Sequence, residues 1–193
     1  GVHFTQRVGE VTLAVRVERF ASYDQLHLLA QRWTLNADGD VNVEIDAGID
    51  GNIWSLNGQH LPEVTLAEDV GVISARGTTV ESGVDIGVAS VSSFHGGELL
   101  ADETVSDGQS LVRRRRVSLR AGAELVVETV AAVASSNDGP SPLGQAQEIA
   151  REGAGKGYSV MAEASRSHWD RIWRDMDVQI GGSPVDQATL RFS

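Results

Sequence analysis

The segment GIDGNIWSLNGQHL, residues 48–61, gathers an indole (Trp54), a carboxamide (Asn57) and an imidazole (His60) around two turn signals, Asp50-Gly51 and Asn57-Gly58. An indole offers a flat apolar surface, and an amide and an imidazole exchange hydrogen bonds with hydroxyl groups, so these three residues are what a compact binding loop presents. The same residues also suit a structural role, with Trp54 plugging the edge of a sheet while Asn57 and His60 satisfy turn carbonyls. Either way, the spacing predicts a short loop leaving a β-framework.

Other groupings do not assemble into a site. GAGKGYS, residues 153–159, has the lysine and glycine of a phosphate loop, but Ala150 stands where the first glycine is required, Gly157 follows the lysine, and a helix precedes it instead of a strand. NADGD, residues 36–40, lacks the glycine and the closing glutamate of a calcium loop, so a turn is expected there. His3, His27, His60, His95 and His168 are scattered without metal-ligand spacing, and the chain has no cysteine, so no metal site is expected. No Gly-x-Ser-x-Gly elbow is present, and 27 dispersed acidic residues give no catalytic pair by spacing. Arg113 to Arg116, set between Leu111-Val112 and Val117-Ser118-Leu119, read as a strand that sends two arginines to each face and pairs them with neighbouring acids.

The net charge of −11 opposes a phosphate backbone over most of the surface, which argues against a nucleic-acid partner. No apolar run approaches the roughly 20 residues needed to cross a bilayer, so no membrane partner is expected. With no cysteine and no signal-peptide pattern, the expected compartment is the cytoplasm.

Residues 10–134 read almost entirely as strands. Val11, Leu13, Val15 and Val17 alternate with Thr12, Ala14, Arg16 and Glu18, and Val41, Val43, Ile45, Ala47 and Ile49 repeat the pattern. Asp38-Gly39, Asp107-Gly108 and Ala121-Gly122-Ala123 read as hairpin turns, and about eight strands are expected, as in a sandwich or barrel. From Asn137 the pattern becomes helical. Ser141-Pro142 starts a short helix that GAGKG breaks, and a longer helix from about Tyr158 to Met176 carries the stripe Tyr158, Met161, Ser165, Trp169, Ile172, Trp173 and Met176. An exposed tryptophan stripe calls for a partner surface, so Trp169 and Trp173 are the expected domain-interface residues. Ser183-Pro184 then starts a further helix, within which the sequence ends.

Three stretches, VERFASYDQLHLLAQRWTL, GIDGNIWSLNGQHL and HWDRIWRDMDVQIGGSPVDQATLRFS, resemble in order and spacing the amino-terminal part of glycoside hydrolase family 65, which contains maltose, trehalose and kojibiose phosphorylases and some trehalose hydrolases. The resemblance implies a mainly β fold: an antiparallel β-supersandwich (1–136), a linker of two α-helical segments (137–182) and the first turns of an (α/α)6 barrel (183–193) that lies outside this chain. Gly182 departs from the family, which usually has an acid there.

On this resemblance the chain is expected to be a fragment, possessing the non-catalytic amino-terminal domain of an inverting α-glucoside phosphorylase. In such enzymes a glutamic acid protonates the leaving oxygen while phosphate attacks the anomeric carbon, so inorganic phosphate is the expected co-substrate and no cofactor is needed. Both groups belong to the barrel, so no catalytic residue is assigned here. The implied partners are the barrel, a disaccharide substrate and, as one assembly, a homodimer. A loop bearing Trp54, Asn57 and His60 is placed by the resemblance to act as a lid, with the indole stacking on a glucose ring. The other readings are a stand-alone carbohydrate-binding or structural sandwich, which solvent-facing aromatics would mark, and the same domain from a trehalose hydrolase.

Overall fold

The computed structural model describes residues 1–52 and 58–192. Its strands are β1 (Val2–Val8), β2 (Val11–Ala21), β3 (Leu28–Ala37), β4 (Val41–Asp50), β5 (Val64–Asp69), β6 (Val72–Thr78), β7 (Asp85–His95), β8 (Glu98–Asp107), β9 (Ser110–Leu119) and β10 (Glu124–Ser135). Three helices follow: α1 (Pro142–Lys156), α2 (Tyr158–Met176) and α3 (Pro184–Phe192). The strands form two antiparallel sheets, one of seven strands in the order β1-β2-β3-β10-β7-β6-β5 and one of three in the order β4-β9-β8.

Period-two alternation decides which residues meet between the sheets. Leu13 and Val15 of β2, Leu35 and Ala37 of β3, and Leu125 and Val127 of β10 all point from the large sheet toward Val117 and Leu119 of β9. Leu119 and Leu125 are fully buried there, and Trp33, Phe94, Val41, Val43 and Ile45 close the cluster. The register Leu35↔Leu125 and Val127↔Trp33 keeps these side chains on one face, and a slip by one residue would turn all of them outward.

The opposite face of the large sheet carries small residues, and the helices lie on it. Ala89, Ala132, Ala134 and Val72 receive Ala146 and Ala150 of α1, while Leu28, Ala30 and Val130 receive Tyr158 and Met161 of α2. The approach is close enough that a Cβ on Gly87 would come within 2.4 Å of the Leu143 backbone nitrogen, so only glycine fits under the start of α1.

Several local expectations need correcting. Asp38-Gly39 and Ala121-Gly122-Ala123 are not hairpin turns, because they carry the chain from β3 to β4 and from β9 to β10, from one sheet to the other. The two crossings lie side by side: Gly122 N–H donates to the Ala37 carbonyl at 2.8 Å, and Ala121 N–H donates to Asp40 Oδ1 at 2.9 Å. A turn residue marks a reversal of direction, not the sheet in which the next strand pairs. Asp107-Gly108 does turn a true hairpin, β8–β9. Ten strands are described instead of eight, the additions being the edge strands β1 and β5. GAGKG does end the first helix, as expected, and it does so at its last glycine: α1 continues through Gly153 to Lys156, and the direction changes at Gly157, whose φ is +79°. Gly153 is retained inside α1 because a Cβ there would meet Leu28 Cδ1 at 2.7 Å and Val130 Cγ1 at 2.9 Å.

The start of α2 is held by charge. Gly157 has no side chain to cap the helix, and the Glu128 carboxylate of β10 takes that place, with Oε2 accepting the Tyr158 N–H at 3.1 Å. Its Oε1 accepts from Arg32 Nε at 2.9 Å and Nη2 at 2.7 Å, and that guanidinium lies 4.4 Å from the centre of the Tyr158 ring. A second donation from Arg32 Nη2 to Ser159 Oγ at 2.7 Å completes a polar joint between the sheet and α2.

Candidate functional site

The loop between β4 and β5 is fastened at both ends. At its start Gly51 N–H donates to the Gln109 carbonyl at 2.7 Å, and Asp50 Oδ1 accepts the Asn52 N–H at 2.9 Å, the self-bonded turn that aspartate favours. At its end the His60 carbonyl accepts the Val80 N–H at 3.1 Å, and His60 Nδ1 lies 2.7 Å from Glu81 Oε1. Of the three expected loop residues, His60 is thus placed beside a carboxylate, while Trp54 and Asn57 lie outside the described residues.

Glu81 belongs to the β6–β7 connection, and nothing in its sequence neighbourhood singled it out; the 21 residues separating it from His60 are bridged only by the fold. Its carboxyl is held below the usual carboxylate range, first by a hydrogen bond to its own backbone N–H and then by the His60 imidazole. Both side chains are substantially exposed, which leaves the pair open to a ligand. The pair can orient an imidazole and exchange hydrogen bonds with a hydroxyl group.

The second region is the stripe of α2, which divides in two. Tyr158, Met161 and Ser165 are buried against the sheet, whereas Trp169 and Trp173 remain 44% and 49% exposed and Met176 73%. Trp169 touches the Tyr23 ring at a centroid distance of 4.9 Å, and the His168 ring meets the same ring at 4.8 Å, tilted by 58°. The helix therefore leaves the sheet at about Ser165 and carries its remaining apolar face outward. Beyond it α3 is tied back, with Arg191 Nε donating to Asp177 Oδ1 at 3.0 Å and Gln187 Nε2 to the Val178 carbonyl at 3.0 Å. Ser183 Oγ accepts the Asp186 N–H at 3.3 Å at the start of α3. Val178, Ile180, Val185 and Leu190 of this region are also exposed.

The arginine run sits at the centre of the small sheet and is neutralised from both faces. Arg114 donates to both Asp46 oxygens at 2.8 and 2.7 Å, and Arg116 lies 3.2 Å from Glu44. On the other face Arg113 and Arg115 share Asp102, and the Arg113 hydrogen bond above all holds that carboxyl down to about 2. Arg115 also lies 4.4 Å over the Phe94 ring. Paired in this way, the run does not present a free anion site. Among the described residues no group of three His, Asp or Glu side chains could hold a metal ion, and no helix is long and apolar enough to cross a membrane.

Residues 2–172 match the family described as glycosyl hydrolase family 65, N-terminal domain. The chain belongs to this family, as its amino-terminal domain. It is 30% identical over 182 residues to the 1,2-alpha-glucosylglycerol phosphorylase of Bacillus selenitireducens, an alignment covering 94% of this chain and 23% of that protein. It is 21% identical to the nigerose phosphorylase of Lachnoclostridium phytofermentans, over 94% of this chain and 27% of that one. With the kojibiose phosphorylase of Halothermothrix orenii the identity is 27%, over all of this chain and 26% of the relative. A solved structure of a human-microbiome protein assigned as a kojibiose phosphorylase superposes with a TM-score of 0.85 over 98% of this chain and 25% of that one; at 16% identity it shows the shared fold. The chain spans about a quarter of the length of these relatives. The mainly β sandwich with its following helices is the amino-terminal fold that the sequence resemblance implied.

Proposed function

We propose that this chain serves as the non-catalytic amino-terminal domain of an intracellular α-glucoside phosphorylase, supporting a catalytic helical barrel and contributing the 48–61 loop to the mouth of its sugar site. The observation that carries the reading is the alignment of 94% of the chain with a phosphorylase of which it spans 23%. The chemistry of the whole protein would be attack of inorganic phosphate on the anomeric carbon of a disaccharide or glucosylglycerol, releasing glucose 1-phosphate. In this arrangement the sandwich, the linker and α3 fall into the segments 1–136, 137–182 and 183–193. The exposed stripe of Trp169, Trp173 and Met176 is the surface on which the barrel rests. Such an area of aromatic and thioether side chains is costly to leave in water, which supports a covering surface there.

The test is to express the complete protein and this 193-residue chain side by side with kojibiose, nigerose, maltose, trehalose and 1,2-α-glucosylglycerol, with and without phosphate. Phosphate-dependent glucose 1-phosphate release from the complete protein alone is expected. Phosphate-independent release of glucose would assign a hydrolase, and release of either product by the short chain would overturn the non-catalytic reading. Sedimentation of the complete protein tests the homodimer.

A further inference from the structure

We propose that Glu81 is a positioning residue for His60, holding the imidazole with its proton on Nδ1 and so presenting Nε2 as a hydrogen-bond acceptor to a hydroxyl group of the glucoside. The proposal rests on the reading of the 48–61 loop as sugar-facing, and adds to it the group that fixes the geometry and the class of ligand atom that is met.

The geometry is a clamp with two points of attachment. The His60 carbonyl accepts from Val80, and the His60 ring meets Glu81, the next residue, at 2.7 Å, so backbone and side chain are both referred to the same turn. That turn is braced from within. Thr79 N–H donates to the Val84 carbonyl at 2.9 Å and Gly83 N–H to the Thr79 carbonyl at 3.0 Å, while Thr79 Oγ1 accepts the Val84 N–H at 2.9 Å and meets Ser82 Oγ at 2.7 Å. A surface glutamate needs no such support merely to be soluble. On a braced turn its carboxylate is held where the imidazole must meet it.

The chemistry follows from what each atom can do. An ionised carboxylate only accepts, so the Nδ1 facing Glu81 must carry hydrogen, and in the neutral ring Nε2 then holds a lone pair. Free imidazole side chains favour the opposite tautomer, so the carboxylate reverses the resting preference. A lone pair at Nε2 attracts a sugar hydroxyl, which has a proton to give, and repels the oxygens of ionised phosphate. The pair is therefore suited to the glucoside and not to the phosphate co-substrate.

The decisive experiment measures KM for glucoside and for phosphate separately in the complete protein and in its Glu81→Ala, Glu81→Gln, His60→Ala and Glu81→Ala/His60→Ala variants. Loss of one hydrogen bond predicts a rise of about threefold to tenfold in glucoside KM for Glu81→Ala, with phosphate KM unchanged. Glu81→Gln, whose amide oxygen still accepts from Nδ1–H, should restore most of the affinity, and the double variant should be no worse than His60→Ala. If His60→Ala raises glucoside KM and Glu81→Ala does not, the loop reading stands and the role of Glu81 is overturned. If His60→Ala changes nothing, the sugar-facing reading itself fails. The positioning claim is read independently by long-range 1H–15N spectroscopy of the five histidines of this chain. His60 should be the Nδ1–H tautomer and should shift toward Nε2–H in Glu81→Ala; an Nε2–H tautomer in the unaltered chain would overturn the assignment.

Discussion

Replacing Glu128 by alanine removes the joint between the large sheet and α2 in one step. The Arg32–Glu128 pair is 24% and 16% exposed at the side chains, between a surface ion pair, which is worth about 0–1 kcal/mol, and a fully buried one, whose breaking costs about 3–5 kcal/mol. A loss of about 2 kcal/mol is appropriate to that position. The Tyr158 N–H also loses its acceptor at the start of α2, which is equivalent to removing a helix cap and adds about 1 kcal/mol. The total of about 3 kcal/mol lowers Tm by about 6–12 °C in a domain of this size, followed by circular dichroism on heating. Glu103→Ala is the control. It removes an exposed pair with Arg116 at 3.5 Å, and its effect should stay within about 0.5 kcal/mol. Arg32→Ala in the Glu128→Ala background should cost less than in the original chain, because the ion pair is already gone and only the contacts with Ser159 and the Tyr158 ring are left to lose. A fall of less than about 2 °C for Glu128→Ala, or strict additivity of the two substitutions, would refute the joint as described.

Two of the three glycines within α1, Gly153 and Gly155, should respond with opposite signs. Gly155→Ala, with nothing within 4 Å of the new Cβ, should stabilise by about 0.5–1 kcal/mol, whereas Gly153→Ala should destabilise, since its Cβ would press on Leu28 and Val130; urea midpoints decide. Asp102 has its carboxyl lowered to about 2 by Arg113, so its stabilising contribution is complete above the unfolded value near 4 and is lost as the pH falls toward 2; Asp102→Asn should weaken the chain at neutral pH and flatten its stability between about pH 4 and 2, measured by denaturant titration at each pH. Trp169→Ala should shift the Tm of this chain by no more than about 3 °C, because among the described aromatic rings it touches only Tyr23 and it is 44% exposed, but should cost about 3–5 kcal/mol in the complete protein if the barrel covers it; equal effects in both would remove Trp169 from the interface.

What the sequence disclosed was mostly local. The alternation of Leu13, Val15 and Val17 and the helical stripe from Tyr158 to Met161 and Ser165 are properties of single elements, and each points the way the structure turns it. Its crossings between sheets were not legible, because Asp38-Gly39 has the same composition whether β4 returns beside β3 or joins the second sheet; the choice is made by β10, which occupies the position next to β3. Nor was α1's passage through Gly153. The propensity of glycine argues for a break at that position, whereas the helix runs on, and glycine is required there by the closeness of Leu28 and Val130, more than a hundred residues and some twenty residues away. In the candidate site His60 was visible as an imidazole beside a turn. Glu81 was not, since only the pairing of β6 with β5 and β7 brings its turn back to the loop.

The position of β10 has a consequence for how the chain acquires its structure. β1, β2 and β3 are a meander of sequence neighbours, as are β5, β6 and β7, and each set can pair as soon as it is made. They share no edge until residues 124–135 arrive and pair with Leu28–Asn36 on one side and Ile86–His95 on the other. The last strand is therefore the keystone, and closing it spans loops of some ninety residues on one side and a few tens on the other, a non-local step that slows folding. During synthesis the two half-sheets would wait with their β3 and β7 edges open until the ribosome releases β10. A chain stopped short of Glu124 would hold two separate meanders with exposed edges and be a substrate for chaperones or aggregation, not a smaller version of the same domain.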